Sequence, residues 1–290
     1  MKRLVIGMLC LFTTGKGLMA QTDSTAKNTD TVKVGNFIII KKNNGSVNSS
    51  EKKESRNNNY EFKVERRPRK RSNISTNWWI MDLGFANMRD NTNYASAATG
   101  GYFKTLRPAD GAVNQNSYKL IPGKSSNVNI WFFMQKLNIV KHVVNLKYGL
   151  GLEMYNYRYD TRLSFRKDPQ PFVFNDSIGF TKNKLYVEYL TVPIMLNINT
   201  TPDSRRGFSF SAGVSAGYLT NSRNKQISAE RGKQKIKGDF NFEPWRVAAI
   251  GELGLGPIRL YGSYSLNRLQ SDITRVEQYP YTVGIRLSNW

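Results

Sequence analysis

A hydrolase or an acyltransferase needs a histidine within reach of a serine or a carboxylate, because the imidazole must take the nucleophile's proton. This sequence has one histidine, His142, which follows Lys141 in a short break between two alternating apolar segments. A histidine in so short a turn is expected at a surface or an interface, not beside a nucleophile. No HExxH, CxxC or DxDxDG pattern occurs, so neither a zinc site nor an EF-hand calcium site is expected. Gly149-Leu150-Gly151 and the glycines from Gly251 to Gly256 lie in strand-like runs and open no helix, as a phosphate loop must. The expectation is a non-enzymatic protein with no catalytic residue, no cofactor and no metal.

Isolated charges are more informative. Asp82, Lys147, Glu153, Arg246, Glu252, Arg259 and Arg286 each interrupt the polar face of a segment whose other face is apolar. A charge on an enclosed face must be paired, and these seven suit an internal salt-bridge network. A gated path for a solute or a proton through that network is the functional alternative. A second group, Arg223, Lys225, Arg231, Lys233, Lys235 and Lys237, faces a single Glu230 in a stretch from Asn221 to about Asp239, read here as a basic loop. Its chemistry suits phosphate oxygens.

Eight period-2 segments carry these residues. The first sets Trp79, Met81, Leu83 and Phe85 against Ile80, Asp82, Gly84 and Ala86. The second sets Val128, Ile130, Phe132 and Met134 against Asn127, Asn129, Trp131 and Gln135. In the third, Leu146, Tyr148, Leu150, Leu152 and Met154 oppose Lys147, Gly149, Gly151, Glu153 and Tyr155. The pattern continues through Leu190–Ile198, Phe208–Tyr218, Trp245–Leu255 and Ile258–Leu266, and closes with Tyr281, Val283, Ile285 and Leu287. Connections alternate long and short, as in an up-and-down barrel with long external loops and short periplasmic turns. Large apolar residues fill one face of each segment; Gly, Ser, Thr, Asn and the single charges fill the other. A soluble barrel reverses that arrangement. The fold class is therefore all-β: an eight-stranded antiparallel up-and-down transmembrane β-barrel with a disordered N-terminal arm. A soluble aromatic-rich β-sandwich is the competing reading.

Composition allows the barrel. Of 290 residues 39% are hydrophobic, and the mean hydropathy is −0.51, because only alternate strand residues would meet lipid. Aromatic content is 12%, enough for girdles at two interfaces. Lys2 and Arg3 precede the apolar run Leu4–Phe12, and Leu18-Met19-Ala20 offers a cleavage site, so residues 1–20 read as a signal peptide. Cys10 falls inside that leader and is the only cysteine. Residues 21–75 read as a flexible basic periplasmic arm containing one strand-like segment, 32–42, and the run Arg66 to Arg71; residues 76–290 form the barrel. The 32–42 segment is either a short strand in a disordered arm or an edge-seeking strand that adds to a partner. The formal charge is +22. In an exported protein such a charge points to anionic lipid headgroups rather than to nucleic acid.

NISTNWWIMDLGF, HVVNLKYGLGLEM, TVPIMLNI and the final YTVGIRL, with the leader and the DTVKVGNFIIIKK arm, together resemble the PorT-type outer-membrane β-barrel family of Gram-negative bacteria. The resemblance covers roughly residues 76–290. It implies an outer-membrane location, and no functional residue carries over; the even strand count puts both termini on the periplasmic side. The final strand also resembles the closing strand of such barrels, although Trp290 falls out of phase with Leu287. The expected role is membrane-structural or interactive. Accessory work in secretion across the outer membrane, or a narrow gated solute pore, stand as alternatives. Expected partners are outer-membrane lipids, including lipopolysaccharide at the basic stretch, and a periplasmic protein at the arm.

Overall fold

The computed structural model of the chain describes residues 29–34, 37–42, 62–66, 72–202, 207–255 and 258–288. It divides into two units, Met1–Arg71 and Ser72–Trp290. The expected leader, most of the Arg66–Arg71 run and Trp290 fall outside the described residues.

The first unit holds β1 (Thr29–Val34), β2 (Phe37–Lys42) and β3 (Phe62–Arg66), in the sheet order β1-β2-β3. The segment 32–42 is therefore two strands and not one. Gly35 and Asn36 separate them in sequence, a pair that favours two-residue hairpins. β2 is paired on both sides, Val32 with Ile39 in one register and Ile39 with Val64 in the other. Among the described residues the one-sided strands of this sheet are β1 and β3.

The second unit begins with β4 (Ile74–Asp90), β5 (Ser126–Val140) and β6 (Val144–Tyr159), followed by a small hairpin of β7 (Leu163–Arg166) and β8 (Phe172–Asn175). It continues with β9 (Lys182–Asn199), β10 (Phe208–Ser228), β11 (Gly232–Lys237), β12 (Trp245–Leu255), β13 (Ile258–Ser265) and β14 (Gln278–Leu287). Eight of these form a ring of antiparallel neighbours, β4-β5-β6-β9-β10-β12-β13-β14, and β14 pairs back on β4. Along β9, Leu190, Val192, Ile194, Leu196 and Ile198 are exposed while Tyr189, Thr191, Met195 and Asn197 are buried. β10, β12, β13 and β14 repeat this arrangement, so the ring has an apolar outside and a polar inside. From Leu190 to Ile198 the exposed row spans about 27 Å of strand, or roughly 20 Å along an axis at the ~40° tilt of such barrels.

One strand departs from strict alternation. Met134, expected on the outer face, is wholly buried. The β5–β6 register slips between Trp131 and Phe133, so Phe132 and Phe133 both turn outward and the phase reverses beyond them. The facing part of β4 does the same: Trp79 adopts φ 56, and Trp78 and Trp79 are both exposed. Trp78 packs on Phe133 and Trp79 on Phe132, each pair with ring centroids 5.9 Å apart. Two matched irregularities thus gather four aromatic rings on the outside near the short-turn end.

The long connections are not plain loops. Residues 91–125 contain helix α1 (Tyr94–Ala98) and two 3-10 turns. The stretch expected as a basic loop is a β-hairpin, because β10 runs on to Ser228 and β11 returns along it. Over the mouth these connections share a buried cluster that includes Tyr102, Val113, Tyr118, Phe165, Val173, Phe240, Phe242 and Val276. Tyr157, Tyr159, Leu185 and Val187, on strand ends beyond the ring's apolar rows, close it from below. Backbone bonds stitch the cap: Lys104 N donates to Val173 O (2.9 Å), Val173 N to Tyr102 O (2.8 Å) and Ile121 N to Arg158 O (2.8 Å).

Close approach dictates glycine at the β14–β4 seam. Gly84 and Gly284 are register partners, and Tyr261 lies over them. A methyl on Gly84 would sit 2.5 Å from Tyr261 Oη and 2.6 Å from Val283 O. Gly84→Ala should therefore cost about 1–3 kcal/mol, read as a lower urea midpoint for unfolding from detergent. Gly251→Ala, where the nearest atom would be 3.9 Å away, should leave the midpoint unchanged.

Candidate functional site

Inward positions on β4, β6, β12, β13 and β14 bring the seven isolated charges into one interior layer. Asp82, Lys147, Glu153, Arg246, Glu252, Arg259 and Arg286 are all buried, none more than 7% exposed. Glu252 is the hub. Its Oε1 accepts from Lys147 Nζ (2.7 Å) and an Arg259 guanidinium nitrogen (3.0 Å), and its Oε2 accepts from Arg286 (2.6 Å). Arg286 also grips Asp82 with two nitrogens at 2.7 and 2.8 Å. Arg246 donates to Glu153 (2.6 Å) and to Ser265 and Ser263 (2.8 and 3.1 Å).

Neutral side chains complete the layer. Trp131 Nε1 donates to Asp82 Oδ2 at 2.7 Å, and Asn129 donates to the same oxygen at 3.2 Å. Tyr261 Oη donates to Asn127 (2.6 Å), which in turn donates to Asn129 (2.8 Å). The Arg286 guanidinium lies 5.5 Å from the Trp131 ring centroid, and that of Arg246 lies 5.0 Å from Tyr155. Sequence reasoning found the charges but missed Trp131, Asn127, Asn129 and Tyr261. Part of their signal was present: Asn127, Asn129 and Trp131 share the polar face of β5, and Tyr261 is in phase with Arg259 on β13. The arrangement neutralises three carboxylates against four cations and packs the lumen with side chains, among them Ile80, Met134 and Met195. It offers no nucleophile with a base. His142, the one candidate base, sits in the β5–β6 turn at φ 58, and its backbone N–H donates to Asn138.

The six cations of the 221–239 stretch do not stay together. A phase reversal between Leu219 and Asn221 points Arg223 and Lys225 outward, and β11 pairs Lys237 with Arg223 and Lys235 with Lys225. Lys233 stands in the same row opposite Ile227. Arg231, at the hairpin tip, leaves the group. It makes a two-pronged bond to Asp176 at 2.7 and 3.1 Å, on the wall of a cavity of about 640 Å³ between the hairpin, β8 and the 107–110 turn. Burial pushes the Asp176 carboxyl up, but its bonds to Arg231, Ile178 and Ser164 outweigh that and hold it below its ordinary range. Three cations absent from the sequence-derived set join the outer row: Arg158 and Lys182, and Lys184, which donates to Asn156 at 2.6 Å. In this part of β9, beyond the apolar rows, partial burial and then the charges of Lys182, Arg223, Lys225 and Arg158 lower the Lys184 ammonium to about 8.

The ring of apolar-outside, polar-inside strands and its paired interior define an outer-membrane β-barrel protein. In agreement, residues 95–269, more than half of the chain, match the family model described as outer membrane protein beta-barrel domain. The chain belongs to that family. No curated protein matches the sequence.

Two measurements follow. Glu252→Gln removes the carboxylate shared by three cations and should destabilise the barrel by about 3–5 kcal/mol, seen as a lower urea midpoint. The second concerns pH. Folded Lys184 releases its proton near 8 and an unfolded lysine near 10.5, so the unfolded chain binds more protons in between and stability rises with pH there. Tyr102 and Tyr118 in the cap, raised by burial, act oppositely once an unfolded tyrosine ionises above about 10. Unfolding midpoints in uncharged detergent should climb from pH 8 and turn over above about pH 10, and Lys184→Gln should flatten the climb.

Proposed function

We propose that this chain is a non-enzymatic outer-membrane barrel with a structural or interaction role, its capped end at the cell surface and its short turns and both termini in the periplasm. One observation carries the reading. The exposed rows from Leu190 to Ile198 and their neighbours wrap the ring in apolar side chains that only a bilayer would cover, while the interior is filled and ion-paired. Aromatic groups border these rows, with Trp78 and Trp79 towards the turn end and the Tyr218–Trp245 pair (5.1 Å) towards the cap. A leader at 1–20 and a Gram-negative source belong to the same reading.

A second reading, an accessory of secretion like the PorT-type proteins, is favoured by the separate three-stranded unit. Its one-sided strands β1 and β3 suit strand addition by a periplasmic partner. A narrow gated pore has less support, since the charges that would line it bond to one another.

The test is fractionation with mobility analysis. The protein should sediment with the outer membrane and shift mobility on heating in detergent, and a soluble, unshifted protein would overturn the assignment. For orientation, Glu230→Cys should react with an impermeant maleimide on intact cells while His142→Cys should not. Wild type, Glu153→Gln and Glu252→Gln should all give a silent planar bilayer; discrete current steps altered by either change would favour the pore.

A further inference from the structure

Four adjacent strands carry one continuous cationic face above the apolar rows. From the hairpin inward, the outward residues are Lys233, Lys235 and Lys237 on β11, Arg223 and Lys225 on β10, Lys182 and Lys184 on β9, and Arg158 on β6. Register sets like charges directly opposite each other: Lys225 stands between Lys184 and Lys235, and Lys184 between Lys225 and Arg158. Directly opposed like charges destabilise a sheet. The one carboxylate among these rows, Glu188, is already engaged by the hydroxyls of Tyr186 and Thr220. Within the fold Arg223 and Lys184 meet the Tyr186 ring, Lys184 donates to Asn156 and Arg158 to the Thr181 carbonyl, but none of these contacts neutralises a charge, and a polyanionic partner would.

Position selects the partner. Leu190 ends the apolar row on β9, and Tyr186, Lys184 and Lys182 continue the same face beyond it. These residues lie roughly 10–20 Å above the apolar edge along the axis, given the rise and tilt of barrel strands. That is the layer of phosphorylated sugars in a glycolipid headgroup. The glycerol phosphates of ordinary phospholipid lie lower, within the few ångströms next to the hydrocarbon. Lysine stems also let the ammonium groups reach along the surface towards such phosphates.

We propose that this face binds the phosphorylated sugar headgroup of the outer-leaflet glycolipid, with Lys184, Lys225 and Lys235 at its centre and Arg158, Arg223 and Lys237 flanking them. The surface localisation rests on the outer-membrane reading above, but binding in micelles does not, so the two fail separately. Arg231, basic and nearby in sequence, takes no part.

The full chain in uncharged detergent micelles is mixed with a rough lipopolysaccharide whose inner-core sugars carry phosphates or with its core-dephosphorylated form, and retained lipid is counted by native mass spectrometry. Wild type should retain the phosphorylated form, and the triple variant Lys184→Gln, Lys225→Gln, Lys235→Gln should lose at least about tenfold in affinity. A control, Lys119→Gln with Lys124→Gln, should bind as wild type. In lipid-free micelles the triple variant should unfold at a higher temperature than wild type because the repulsion is gone; a purely structural role predicts a lower one. Equal retention by the triple variant, equal retention of the dephosphorylated lipid, a lower unfolding temperature, or displacement by an excess of inorganic phosphate would overturn the proposal. If the triple variant does not fold, Lys225→Gln alone is read by the same two measurements.

Discussion

A strand ring in a bilayer has one join that chain continuity does not make, and here it lies between β14 and β4. Asp82 and Arg286 are register partners across that join, linked by two short bonds, and Arg286 reaches on to Glu252 in β12. Backbone groups left open at this seam would face hydrocarbon, where water cannot satisfy them. Fixing register there therefore fixes which face of every strand is wet, since a one-residue slip exchanges inside for outside. The glycine pair Gly84–Gly284 lets the two strands accept Tyr261 across them, and Tyr261 passes the constraint on to Asn127 in β5.

Much of this was legible in the sequence because a lipid-facing strand has a strict period of two. Asp82, Glu252 and Arg286 announced themselves as charges in phase with glycine and serine, and charges in that phase have no solvent to face except one another. What escaped was local to the places where the period breaks. No pattern of residue types marks the slip at Phe132 or the left-handed backbone at Trp79, so Met134 was placed on the wrong side. The stretch 221–239 looked like a loop because its outward residues are lysine and arginine. Strand propensity is mostly a preference for a half-buried surface, and above the bilayer that surface is polar on its outer side. Arg158, Lys182 and Lys184 were invisible as companions of Lys225 for a different reason: their proximity is a matter of register between strands far apart in sequence.

The cap and the interior layer divide the labour of filling the barrel. In the interior, ion pairs and amides occupy space that a small ring leaves for side chains alone. Above it the fill becomes aromatic, with Tyr155 and Tyr157 stacked at 5.9 Å and Phe165, Phe240 and Phe242 packed edge to face. The transition falls where Tyr155 meets Glu153 and Arg246, so a single strand, β6, supplies residues to both.

Connections that project from a cell surface are commonly the freest part of a chain to accumulate change, because nothing packs against them. The stitched cap alters that. Tyr102 from one connection donates to Phe240 in another at 2.8 Å, and Val173 in a third is bonded on both sides to the first. A length change in any one of them would disturb the packing of the other two. The three connections therefore have linked lengths, and tolerance of insertions is concentrated at exposed tips such as 229–230.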